Sequence, residues 1–198
     1  MKRHRRGTPT AALLLGVLAL CASGAAGPGI AQQRVTATSG APAAIARIRA
    51  RVAEIEREAP GYRRTTHDLW GFSLEGGELA GLFRGRELRK LAARLLGETW
   101  RGTEEYYFSG GRLIFVHVVH ERYAQPMGVG GVVATIEHRF YFDGGRLIRR
   151  VRTQRPAAAR DLADFDPELP TLLRTARLFA ACAAAAGREP PACTAPER

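Results

Sequence analysis

Glu105-Tyr-Tyr-Phe-Ser-Gly-Gly-Arg-Leu-Ile-Phe-Val116 reappears 34 residues later as Arg139-Phe-Tyr-Phe-Asp-Gly-Gly-Arg-Leu-Ile-Arg-Arg150. Between 106–114 and 140–148 seven of nine positions are identical, so the two stretches are copies of one unit. Residues 72–80, Phe-Ser-Leu-Glu-Gly-Gly-Glu-Leu-Ala, read as a fainter third copy. Glycine enters the φ > 0 region that tight hairpin turns demand, and aromatic and β-branched residues on either side favour strands. The pattern therefore predicts three β-hairpins turned on Gly76-Gly77, Gly110-Gly111 and Gly144-Gly145.

Apolar residues at helical spacing fill the intervals. Ile45, Ile48, Val52 and Ile55 predict an amphipathic helix over 42–58, with Arg and Glu on its other faces. Leu88, Leu91, Ala92, Leu95 and Leu96 predict a second helix, stopped at Gly97. Leu172, Leu173, Ala176, Phe179 and Ala183 predict a third over 170–186, entered at Pro170 and closed at Gly187. Residues 124–131 read as a loop and 156–170 as an irregular acidic segment. The expected fold is α+β: an antiparallel meander of about six strands with helices packed on one face.

The N-terminus carries a different signal. Lys2, Arg3, Arg5 and Arg6 precede a twelve-residue apolar run over 11–22 and then small residues, the pattern of a secretory signal peptide. Cleavage after Gly24, Ala25 or Ala31 fits. Leu20 stands before Cys21 where a lipid-attachment box needs a small side chain, which argues against a lipid anchor. The chain is thus divided into a leader (1–31), a linker (32–41), one domain (42–187) and a tail (188–198). Export, to the periplasm or outside the cell, disfavours nucleic acid as a partner. The net charge of +11 falls to +7 without the four leader charges, a balance that suits an anionic partner. Lysine occurs only at positions 2 and 90, however, and such an arginine skew also follows from coding bias. Cys182 and Cys193 remain after processing, and in an oxidising compartment they predict one disulfide pinning the tail to the last helix.

An even period keeps in/out parity along every strand. One face then collects Trp70, Phe72, Leu74, Leu79 and Phe83, then Tyr106, Phe108, Leu113 and Phe115, then Val132, Ala134, Ile136, Phe140, Phe142, Leu147 and Val151. The other mixes Thr135, Glu137, Arg139, Tyr141, Arg150 and Arg152 with Ile114, Val116 and Val118, and on it Tyr107, Tyr141, Ile114 and Val116 form an apolar strip for a partner or a covering helix. Continuing the same register places Glu104, His117 and His138 side by side across three strands, on the core side. Directly opposed residues have Cβ atoms about 5 Å apart, so the three could hold a metal such as zinc or act as an acid/base set. A partly solvated ion pair at a strand end gives the same pattern without any function. His120 falls on the other face, and His67 with Asp68 reads as surface.

Arg146, Arg149, Arg150, Arg152 and Arg155 load the last strand. They could bind an anion, or they could keep an exposed sheet edge from pairing with another molecule. No nucleophile elbow, phosphate-binding glycine loop or paired-carboxylate signature occurs. The functional expectation is a non-catalytic, exported binding protein presenting a β-sheet surface to a protein or an anionic envelope component. The alternative is a small metal-binding protein or hydrolase centred on Glu104, His117 and His138.

Overall fold

Gly110-Gly111 and Gly144-Gly145 each reverse the chain in two residues, joining Ser109 to Arg112 and Asp143 to Arg146. All four glycines have φ between +57° and +82°, the mirror-image turn geometry that suits the twist of paired strands. A computed structural model describes residues 41–156, 165–185 and 193–195, so the leader, most of the linker and Asp161 and Asp164 lie outside the described residues. Helix α1 (Ala41–Glu58) is followed by strands β1 (Arg63–Leu69), β2 (Gly77–Arg84), β3 (Glu87–Gly97), β4 (Trp100–Ser109), β5 (Arg112–Tyr123), β6 (Val132–Asp143) and β7 (Arg146–Arg155), and then by helix α2 (Leu169–Ala184). The strands form one antiparallel sheet in sequence order, β1 to β7.

The expected six strands become seven because residues 88–97 are strand β3, not a helix. Arg89 is the cause. Leu82 pairs with Lys90 and Phe83 with Leu88, which leaves Arg89 as an extra residue, a β-bulge. The bulge spaces the core-facing leucines at 88, 91 and 95, an interval that imitates a helical stripe. The turn before it, Gly85-Arg86, is the true third member of the repeat: Phe83-Arg-Gly-Arg-Glu-Leu-Arg89 aligns with 108–114 at an offset of 25 residues. Gly76-Gly77, by contrast, is not a two-residue turn. A seven-residue loop, 70–76, separates β1 from β2, and Gly77 already lies in β2, where a Cβ would sit 2.4 Å from the Arg94 carbonyl oxygen.

The same bulge recurs at Ile114 and Ile148, each four residues after the first glycine of its turn. Each extra residue flips the parity of everything downstream on its strand. Val116 and Val118 therefore join Tyr106, Phe108, Phe140 and Phe142 on the face covered by α2, through Leu172, Ala176 and Phe179. Phe115 and Val151 go to the opposite face, with Tyr107, Tyr141 and Ile114 beneath Ile45, Ile48 and Ile55 of α1. The helices thus cover opposite faces of the sheet rather than one. Trp70 and Leu74, expected in the core, sit in the 70–76 loop and are 66% and 94% exposed, and Val132, also expected there, is exposed at the start of β6.

Candidate functional site

The one-residue offset at Ile114 also dissolves the expected row of three. Glu104 pairs with Val118, and Val118 with His138; His117 pairs instead with Glu105 and Arg139. Glu104 and His138 lie on the α2 face with Val118 between them, two strand spacings or about 10 Å apart. His117 projects from the other face. No three His, Cys, Asp or Glu side chains converge to hold a metal ion among the described residues.

Each face instead builds its own polar cluster. On the α2 face, His138 is fully buried, stacked at 6.0 Å on Phe140. Asp166, from the acidic segment ahead of α2, brings an oxygen to 3.1 Å of His138 Nε2 without hydrogen-bond alignment, and accepts from Arg152 Nε at 2.8 Å. Arg150 lies over the Phe140 ring at 5.2 Å. Burial pushes the His138 pKa down to about 4; Asp166 opposes that shift, while Arg150 and Arg152 reinforce it. His120 shares this face because of the bulge at Ile114, packing between Trp100 and Phe165 at centroid distances of 5.6 and 5.0 Å. Burial likewise lowers it to about 4. Both histidines are therefore neutral at pH 7. Burial raises the Glu104 carboxyl, although the Tyr106 hydroxyl donates a hydrogen bond to it and pulls the other way.

On the α1 face the charges are paired. His117 Nε2 lies 2.7 Å from Glu137 and Nδ1 3.4 Å from Glu105. Those carboxylates raise its pKa, Glu105 contributing most, against the effect of desolvation. Lys90 Nζ donates to Glu56 of α1 and to Glu105, both at 2.6 Å, and sits 5.0 Å from the centre of the Tyr107 ring. Glu105 is desolvated, yet His117, Lys90 and Tyr107 together hold its pKa at about 2. Sequence reasoning missed this network. Its signal was the lone lysine of the domain, which a compact ammonium explains: it reaches two carboxylates from a position only 8% exposed.

Beyond that network the α1 face is open, with no described element over it. Two lateral rows cross it: Arg94, Thr103, Val119, Glu137 and Thr153, then Leu96, Arg101, Glu121, Thr135 and Arg155. Shallow recesses of about 220 and 120 Å³ lie beside Arg94, Thr103 and Glu121 and beside Thr135, Thr153 and Arg155. Arg101 is engaged by Glu121, whereas Arg94 and Arg155 have no partner among the described residues. The arginines of β7 split between faces: Arg149 and Arg155 on this one, Arg150 and Arg152 on the other, with Arg146 exposed at the hairpin tip. His67 is half-buried on edge strand β1, and Asp68 is exposed. Cys182 and Cys193 are buried thiols hydrogen-bonded to one another; burial, then that contact, raise the Cys182 pKa to about 12. The chain matches no protein-family model, no curated protein and no solved structure.

Proposed function

We propose that this is an exported, soluble, non-catalytic binding protein, periplasmic or extracellular, that presents the open half of the α1 face to a protein or an anionic envelope component. The observation behind this reading is the uncovered strip of threonines and arginines, in which Arg94 and Arg155 project without a described counter-charge. Flat, polar sheet surfaces with free guanidinium groups recognise carboxylates and phosphates through paired, planar hydrogen bonds. Among the described residues, in contrast, Glu105, His117 and Glu137 are engaged with one another and with Lys90 or Arg139, while His120 and His138 are buried. No helix among the described residues is long and apolar enough to cross a membrane. In an oxidising compartment the adjacent Cys182 and Cys193 thiols would join as a disulfide and fix the segment around Thr194 that pairs with Trp70.

The test is a double charge reversal, Arg94→Glu with Arg155→Glu. Both side chains are exposed, so stability should change by less than about 0.5 kcal/mol. Retention on immobilised heparin, used as a polyanion probe, and capture of partners from envelope extract should both fall relative to the unaltered protein. Equal retention and an identical capture profile at low and physiological salt would sink the proposal.

A further inference from the structure

A separate groove opens on the α2 face, at the Gly-Gly end of the sheet. Phe108, Leu113, Phe142 and Leu173 form its walls, Arg112 and Arg177 stand at its mouth, and its volume is about 440 Å³. That volume lies within the range of small-molecule sites, roughly 300–1,000 Å³. Turn chemistry keeps the mouth open. Gly111 and Gly145 line it with positive φ, and a Cβ at either would meet no atom of the described residues within 4 Å, so the hairpin tips leave unfilled space beside it.

Charge decides what would fill it. Arg112 and Arg177 are exposed and have no partner among the described residues. The acids at the hairpin tips are already engaged: Asp143 by Arg47 at 3.7 Å, and Glu87 by Arg89 at 2.7 Å and by the Gly110 N–H at 2.9 Å. Apolar walls below two free guanidinium groups complement an acyl chain below an anionic head. We infer that this groove binds a single-chain amphiphile with an anionic headgroup, of the fatty-acid class. The chain would lie against Phe108, Phe142 and Leu173, and the carboxylate would accept hydrogen bonds from Arg112 and Arg177. The site is on the opposite face from the open arginine strip and does not depend on it.

Calorimetric titration of the full chain with sodium laurate, dodecanol and sodium acetate tests the inference. Laurate should bind once per chain, dodecanol at least about tenfold more weakly because it lacks the charged contact, and acetate not measurably. In the variant carrying Arg112→Glu and Arg177→Glu, laurate affinity should fall by about tenfold or more while dodecanol affinity holds, with circular dichroism confirming the fold. A third protein, Leu173→Lys, should weaken both chain-bearing ligands by placing a charge on the apolar wall. Absence of laurate binding, acetate binding as tight as laurate, or laurate affinity unaltered by the double reversal would each overturn it.

Discussion

The two faces of the sheet use ionisable residues in opposite ways. On the α2 face, burial favours the neutral forms of Glu104, His120 and His138. Under and beside the end of α1, Glu105, His117, Lys90 and Glu137 neutralise one another in the charged form. Glu104 and Glu105 are neighbours in sequence, yet one is pushed up and the other held near 2. The lesson is that a strand's pleat, rather than residue type, sets the electrostatic character of each side chain here, and a single bulge decides which pleat position a residue takes.

Breaking the packing of one face gives the largest effect. Phe179 is fully buried in the α2-face core, in edge-to-face contact with Tyr106 at 6.0 Å. Phe179→Ala should cost about 3–5 kcal/mol in chemical denaturation, the range for emptying a phenylalanine site. The neighbouring glutamates sharpen the comparison. Glu105→Gln leaves Lys90 and His117 without their shared counter-charge and should cost on the order of 2 kcal/mol, the scale of a hydrogen bond to a charged group. Glu104→Gln keeps an acceptor for the Tyr106 hydroxyl and should cost less than about 1 kcal/mol. Equal losses from the two would erase the distinction between faces. Gly111→Ala should fall between the two, at about 1–2 kcal/mol, because it only forces a side chain into the left-handed region at φ +71° with open space around it.

Much of this architecture was legible in residues. Gly110-Gly111 and Gly144-Gly145 announced hairpins, and Ile45, Ile48 and Ile55 announced α1, since both signals are local. The bulges were not legible. Ile114 and Ile148 are ordinary strand residues, and nothing in their side chains says that two positions on one strand face one on the next. From that single omission came the misplacement of Phe115, Val116, Arg150 and Val151, and the pairing of His117 with Glu104 in place of Glu105. Arg89 hid β3 for the same reason, its extra residue making leucine spacing look helical. Asp166 lay in a segment without register, so its approach to His138 had no sequence mark at all.

Histidine titration followed by NMR reads the central claim directly. His138 and His120 should titrate at about 4, and His117 above 6.5. The stability consequences have opposite signs. The depressed histidines destabilise the fold as pH falls from 6.5 toward 4, because the unfolded chain takes up the protons; the His117 contribution is full below 6.5 and is lost as pH rises through its folded pKa. Separate midpoints on the two sides of 6.5 are the expected result. A single shared midpoint for His117 and His138, or a zinc titration that shifts both together, would place them on one face and contradict the account.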